Sequence, residues 1–111
     1  YFPGLESVAG YEVQRRQADG PGAMISFVLS EQYDYREFFR QLKLVTLAES
    51  LGGVESLVCH PATMTHAAIP ADIRRKAGIA DELIRLSAGI EDADDLIADL
   101  EQAIRASKKE K

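Results

Sequence analysis

A strand pattern followed directly by a helix pattern near the end of the chain constrains its fold most. In residues 83–89 (LIRLSAG) the side chains alternate between two faces, which is typical of a β-strand. After Asp92, a residue type that caps helices, the spacing of apolar residues becomes helical. The apolar stripe of this predicted helix consists of Leu96, Ile97, Leu100, Ala103 and Ile104. An amphipathic helix has to cover another element, so the pair predicts a layer of helices on a sheet.

The rest of the chain has the same mixture of short strands and helices. Strands are predicted at residues 23–29 (AMISFVL), 44–47 (LVTL) and 56–59 (SLVC). The first of them is almost wholly apolar, which predicts burial on both faces. Helices are predicted at residues 11–18, at residues 70–76, and at residues 35–42 with Asp34 as the cap. Together these elements predict an α+β fold with a small, mostly antiparallel sheet covered by helices.

Size, charge and cysteine content exclude several functions. The chain has 111 residues, enough for one domain, and its net charge of −5 does not suit a phosphate backbone. No apolar run is long enough for a membrane helix. The single cysteine, Cys59, allows no intrachain disulfide and fits a reducing compartment. We therefore expect a cytoplasmic protein that binds neither nucleic acid nor membrane.

Arg85 is the unusual residue of the predicted strand at residues 83–89, because it interrupts an otherwise apolar segment. A solvated or ion-paired arginine on an exposed face would explain it. A guanidinium held on a strand also offers a planar, permanently charged fork that binds a carboxylate through two hydrogen bonds. The residues themselves leave both explanations open.

Three segments in this order carry a family resemblance: residues 47–57 (LAESLGGVESL), 60–66 (HPATMTH) and 83–103 (LIRLSAGIEDADDLIADLEQA). Together they resemble the C-terminal domain of the Cys/Met-metabolism family of pyridoxal 5'-phosphate (PLP)-dependent enzymes, above all cystathionine γ-synthase and cystathionine γ-lyase. The opening YFPGLES and the segment GAMISF match that domain as well, so the resemblance covers nearly the whole chain. It implies the C-terminal domain of a fold-type I PLP-dependent transferase.

The resemblance also implies roles in substrate binding for four residues. Arg85 would bind the α-carboxylate of the substrate, and Ser50 would contact the substrate near that carboxylate. Glu49 would face the distal amino group of a substrate such as cystathionine, and Thr65 would line the pocket. Without the resemblance, residues 49–53 (ESLGG) are better explained as a tight turn between two strands.

The resemblance further implies a longer enzyme, because the family's Schiff-base lysine and cofactor-binding groups lie upstream of this domain. None of the lysines in the chain lies in the family's lysine motif. Residues 1–111 would therefore be a substrate-recognition domain that has no catalytic or cofactor-binding residues of its own and is inactive alone. The first residue is Tyr1 rather than methionine, which fits this expectation.

The complete enzyme implied by the resemblance would bind PLP, form a homotetramer and serve methionine and cysteine metabolism. It would act on cystathionine or an O-acylhomoserine by γ-replacement or by β/γ-elimination, and these residues do not separate synthase from lyase. Two other functions stay open. One is a free-standing amino-acid-binding or regulatory module that uses Arg85 and Ser50, and the other is an interaction domain that docks through the last helix.

Two further groups of residues are expected to have structural roles. Cys59, His60 and His66 fit no standard zinc spacing, so we expect no metal site and interpret Cys59 as a small core residue. An acidic group near the end lacks the glycine and the spacing of a calcium loop, which favours helix capping and dipole pairing instead. This group consists of Glu91, Asp92, Asp94, Asp95 and Asp99.

Overall fold

The computed structural model describes residues 1–110, which form four helices and four strands. In chain order the elements are α1 (Tyr11–Gln17), β1 (Met24–Val28), α2 (Tyr35–Gln41), β2 (Thr46–Leu47), β3 (Leu57–Cys59), α3 (Ala71–Lys76), β4 (Leu83–Ser87) and α4 (Ala93–Ala106). The strands make one sheet in the order β1-β4-β3-β2. Each helix and strand expected from the sequence is present, with its ends shifted by a few residues.

The sheet within residues 1–110 is mixed, with two antiparallel strand pairings and one parallel pairing, so the sheet expected from the sequence is mostly but not purely antiparallel. β4 pairs antiparallel with β1 and with β3, but β2 and β3 are parallel. A tight hairpin cannot join parallel neighbours, because the connection has to return the chain to the opposite end of the sheet. Residues 48–56 make that return. The molecule is therefore a small α/β unit in which the connection from β2 to β3 runs back along the sheet.

Helices α2 and α4 pack together and cover one face of the sheet. The buried residues at the centre of this core are Phe38, Val45, Val58, Ile84, Leu86 and Ala103. Phe38 and Ile84 are fully buried, and the ring of Phe38 meets the ring of Phe27 edge to face at a centroid distance of 6.1 Å. The expected layer of helices on one sheet face is thus confirmed.

Strand β1 is not buried on both faces, so the expectation from its apolar composition is wrong. It pairs only with β4 and lies at the edge of the sheet. None of its residues is fully buried, and Val28 is 46% exposed. How far a strand is buried depends on its position in the sheet, which the residues of the strand do not specify.

The two predicted helix caps are confirmed. The Asp34 carboxylate accepts the backbone N–H groups of Arg36 and Glu37 at the start of α2. Asp92 accepts the N–H groups of Asp94 and Asp95 in the first turn of α4 in the same way. These short-range hydrogen bonds satisfy donors that have no partner inside the helix.

The apolar stripe of α4 is narrower than its sequence suggests. Leu96 and Leu100 pack against the core and Ala103 is fully buried, but Ile97 is 54% exposed. The difference arises because neighbouring positions on a helix point about 100° apart, so Ile97 faces away from the sheet. Neither α4 nor any other helix within residues 1–110 is long and apolar enough to cross a membrane.

Asp99 corrects the interpretation of the acidic group as capping residues. It is 6% exposed within α4, and its carboxylate accepts the backbone N–H groups of Lys43, Leu44 and Val45 at 2.8–2.9 Å. Burial acts most strongly and raises the pKa of Asp99, but these N–H groups and the Gln102 amide outweigh it, so the pKa lies below its ordinary value. Asp99 therefore fixes the segment that leads into β2.

Replacing Asp99 with asparagine is expected to lower the free energy of unfolding by about 2 kcal/mol near neutral pH, because an amide offers one acceptor oxygen to the three N–H donors. A carboxyl with a depressed folded pKa contributes its stability above the unfolded pKa and loses it as the pH falls through the folded pKa. Wild type should therefore lose stability as the pH falls below the ordinary value of 3.8, and Asp99→Asn should lose less. Urea unfolding over a pH series measures both effects.

The matched control is Asp95→Asn, which changes an exposed carboxyl on the same helix whose side chain accepts no hydrogen bond within residues 1–110. This variant should stay within about 0.5 kcal/mol of wild type. Wild-type stability and wild-type pH dependence in Asp99→Asn would show that the carboxylate does not hold the segment before β2.

Candidate functional site

Strand β4 places Arg85 on the sheet face opposite the core. Because Ile84 and Leu86 lie in the core, the alternation of a strand puts Arg85 on the other face. Its cross-strand neighbours are Ser26 on β1 and Cys59 on β3. The side chain is partly buried and starts from a paired strand, which restricts its position more than a loop would.

The guanidinium of Arg85 has few partners. Its Nη2 donates to the backbone carbonyl of Glu49 at 3.2 Å, and no carboxylate within residues 1–110 forms an ion pair with it. Arg75 and Arg74, in contrast, both bind Asp81 and hold the pKa of that carboxyl below its ordinary value. The ion-paired explanation of Arg85 is thus excluded for the described chain. Most N–H donors of its guanidinium remain available to a ligand.

The connection from β2 to β3, residues 48–56, runs along the Arg85 side of β4. At its start, the Glu49 carbonyl accepts the hydrogen bond from Arg85. Farther along, the N–H of Gly52 donates to Oγ of Ser87 at 2.8 Å. The path follows from the parallel pairing of β2 and β3, because the chain has to travel back along the sheet before it enters β3.

The second half of this connection is attached to the turn between β4 and α4. Glu91 accepts the N–H and the Oγ–H of Ser56, both at 2.7 Å, and Oγ of Ser56 accepts the N–H of Gly89 at 2.8 Å. The backbone N–H of Ser56, followed by its hydroxyl, lowers the pKa of Glu91 below its ordinary value. Glu91 is therefore an anchor for the connection, and the capping role expected for it is wrong.

The structure brings together three of the four residues that the sequence assigned to substrate binding. Glu49 and Ser50 are exposed and follow one another in the segment that Arg85 contacts. Thr65 is exposed in the turns after β3, where its Oγ1 lies 2.7 Å from Nδ1 of His66. No hydrogen bond within residues 1–110 joins Thr65 to the other three residues. The roles of all four toward a substrate stay predictions.

The side chains that hold the β2–β3 connection, those of Ser56, Ser87 and Glu91, were not predicted from the sequence. Ser87 carries a signal that could have shown it, because it lies two residues after Arg85 and therefore on the same face of the strand. Ser56 and Glu91 carry no such signal. Their contact joins residues that are 35 positions apart, and no local pattern predicts it.

An apolar cleft of about 440 Å³ lies elsewhere on the molecule. Its lining includes Tyr35, Phe39, Leu47, His60, Thr63 and Met64, and it contains none of the four predicted site residues. Two lining residues, Tyr35 and His60, also stabilise the fold. Their rings stack at a centroid distance of 4.5 Å, and the His60 ring nitrogens contact Oγ1 of Thr63 and the Asp81 carbonyl. The cleft and the segment around Arg85 therefore share none of the predicted site residues.

The described residues do not form a metal site. Within residues 1–110, no group of three or more Cys, His, Asp and Glu side chains could hold a metal ion. Cys59 in β3 is one of the buried apolar residues, as expected, although it lies on the same sheet face as Arg85 and not in the cluster around Phe38.

The described residues do not form a complete PLP site either. PLP enzymes hold their cofactor through a lysine. Lys43, Lys76, Lys108 and Lys109 are all exposed, and none of them donates a hydrogen bond to Arg85 or to residues 49–53. The guanidinium of Arg85 can bind an anionic group such as a carboxylate, but within residues 1–110 no lysine lies beside it to bind the aldehyde of this cofactor.

Fold and site together define a small α/β unit in which an arginine without an ion pair in residues 1–110 lies beside an exposed loop. The model of the Cys/Met metabolism PLP-dependent enzyme family matches residues 1–105. The chain therefore belongs to this family, which confirms the resemblance found in the sequence.

Three relatives show how much of a family member the chain represents. Cystathionine gamma-synthase of Escherichia coli (strain K12) is 53% identical over 110 residues, which are 98% of this chain and 28% of the relative. Cystathionine beta-lyase of Lactococcus lactis subsp. cremoris (strain MG1363) is 49% identical over 94% of this chain and 27% of the relative. The crystal structure of cystathionine gamma synthase from Xanthomonas oryzae pv. oryzae in complex with cystathionine has a TM-score of 0.91 and 52% identity, over 96% of this chain and 28% of that one. The chain thus spans little more than a quarter of their length.

Proposed function

We propose that residues 1–111 are the C-terminal, substrate-recognition domain of a longer PLP-dependent transsulfuration enzyme of the cystathionine γ-synthase or γ-lyase type. In this proposal the domain has the C-terminal fold of the fold-type I transferases. The observation that carries the proposal is Arg85, a partly buried guanidinium that forms no ion pair within residues 1–110 and lies beside Glu49 and Ser50. Membership of the family and the share of each relative that the chain matches support it.

Each of the four site residues binds or faces a different part of the amino-acid substrate. Arg85 binds the α-carboxylate through two parallel hydrogen bonds, and the hydroxyl of Ser50 contacts the substrate close to that carboxylate. The Glu49 side chain faces the distal amino group, where its negative charge favours cystathionine over an amino acid without that group. Thr65 lines the outer part of the pocket. All four residues bind or orient the substrate, and none of them moves a proton.

The rest of the longer polypeptide completes the site. It holds PLP, which supplies an electron sink at the substrate's α-carbon, and it covers the exposed face beside Glu49 and Ser50, because small-molecule sites need walls on several sides. The substrate is cystathionine or an O-acylhomoserine, and the reaction is γ-replacement or β/γ-elimination. The related Xanthomonas oryzae enzyme contains cystathionine in its crystal structure. The complete enzyme is a cytoplasmic homotetramer.

The experiment is to express the longer polypeptide that contains this chain and to assay it with two substrate sets. One set is cystathionine alone, and the other is an O-acylhomoserine with cysteine. We expect turnover of at least one set, loss of turnover when PLP is removed, and recovery when PLP is returned. A folded, PLP-bound polypeptide that converts neither set would overturn the proposed function. Binding of cystathionine without turnover would instead favour the non-catalytic amino-acid-binding module.

A further inference from the structure

Ser87 attaches the segment that contains Glu49 and Ser50 to the strand that carries Arg85. Its side chain is 2% exposed, and its Oγ accepts the N–H of Gly52 at 2.8 Å. Gly52 has a φ of 74°, a backbone conformation that is open to glycine and strained for residues with a Cβ. The turn at Gly52 is what brings this N–H to the strand.

The segment is thus held to one strand at two points. The first is the Glu49 carbonyl on Arg85, and the second is the Gly52 N–H on Ser87, two residues farther along the same face. Ser50 lies between the two points. A peptide segment attached only at one point can rotate about it, whereas two attachments fix both its position and its direction.

The two attachments differ in how close they come to a bound carboxylate. The first uses Nη2 of Arg85, which belongs to the group that the substrate carboxylate binds, although the guanidinium has further N–H donors for that ligand. The second uses the buried hydroxyl of Ser87, which a carboxylate does not need. The bond between Ser87 and Gly52 therefore stays in place whether or not a carboxylate binds Arg85.

We propose that Ser87 is a positioning residue that fixes Glu49 and Ser50 against the substrate while Arg85 holds its carboxylate. The inference rests on the proposed function and deepens it, because it assigns the substrate preference of the site to a side chain that does not touch the substrate. The chemical basis is one buried hydroxyl that accepts a backbone N–H across 35 residues of sequence.

The test uses Ser87→Ala in the longer polypeptide, with Ser107→Ala as the matched control. Ser107 is also 2% exposed, and its Oγ also makes one backbone hydrogen bond of 2.8 Å, to the Ile104 carbonyl at the end of α4. Both variants remove one buried hydroxyl, but only Ser87→Ala releases Gly52. Two readouts are compared: hydrogen exchange of residues 48–56, and kcat/KM for cystathionine and for an O-acylhomoserine.

Ser87→Ala should speed exchange in residues 48–56 and lower kcat/KM for cystathionine about threefold to tenfold, the effect of one hydrogen bond. The loss should be smaller for the O-acylhomoserine, which has no distal amino group for Glu49 to face. Ser107→Ala should change neither readout. Unchanged exchange in Ser87→Ala, or an equal loss with both substrates, would overturn the positioning role. Exchange could differ between Ser87→Ala and wild type as expected while the wild type converts neither substrate. That result would overturn the proposed function, and the positioning role would fail with it because it rests on that function.

Discussion

Replacing Arg85 with alanine in the longer polypeptide is expected to raise KM for cystathionine about 30- to 1000-fold, which corresponds to about 2–4 kcal/mol of lost binding. The effect is large because the substrate carboxylate would lose its counter-ion inside a desolvated site. The fold should survive, since Arg85 makes a single hydrogen bond to a carbonyl and no ion pair within the described chain. Steady-state kinetics at saturating PLP measure the change.

Three comparisons make this result specific for a carboxylate. Arg85→Lys keeps the charge but loses the planar fork, so its KM should fall between those of wild type and Arg85→Ala. Arg105→Ala removes an exposed arginine that pairs only with Glu101, and it should leave KM unchanged. The last comparison uses a cystathionine analogue in which a carboxamide replaces the α-carboxylate at the end away from the distal amino group. Wild type should have a higher KM for this analogue than for cystathionine, whereas Arg85→Ala should not distinguish the two. An effect of Arg85→Ala below about twofold would show that Arg85 does not bind the carboxylate.

Replacing Gly89 with alanine is expected to weaken the contact between the β2–β3 connection and the turn after β4 by about 3 kcal/mol, the upper range for overpacking. The added Cβ would overlap the carbonyl oxygen of Val54 and lie 2.6 Å from the carbonyl carbon of Glu55. Both obstacles are backbone, so relief requires movement of residues 48–56. Hydrogen exchange of the Ser56 and Ile90 amides should become roughly 100-fold faster, because their bonds join the two segments.

Gly20→Ala is the control for Gly89→Ala. An added Cβ at Gly20 meets no atom within 4 Å, and its φ is not positive. The control should keep wild-type exchange and gain slightly in stability, because alanine restricts the unfolded chain more than glycine does. Wild-type exchange of the Ser56 and Ile90 amides in Gly89→Ala would mean that the connection does not need the close approach at Gly89.

The parts of the fold that depend on neighbouring residues were predictable from the sequence. The caps at Asp34 and Asp92 act on N–H groups within the next three residues. The position of Arg85 opposite the core follows from the two-residue period of a strand once Ile84 and Leu86 are recognised as core residues. The family resemblance added the roles proposed for Glu49 and Ser50, which periodicity cannot indicate.

The arrangement of the strands was less predictable. The apolar composition of β1 predicts a central strand, yet β1 forms an edge of the sheet. Its one strand neighbour, β4, pairs with β3 on the other side. The parallel pairing of β2 and β3 depends on the path of residues 48–56. Which strands pair depends on all the strands of the sheet, so the sequence of a single strand does not predict its partners.

The sequence alone specified the local structure: which segments are helices and strands, where two helices begin, and which face of β4 carries Arg85. Only the tertiary structure decided how Glu49 and Ser50 are held beside Arg85 and how the segment before β2 is fixed. The first depends on the hydrogen bond from Gly52 to Ser87, 35 residues away, and the second on the hydrogen bond from Val45 to Asp99, 54 residues away. Such contacts form only after the chain has closed the loops between them, and their partners are backbone N–H groups that every residue type except proline provides.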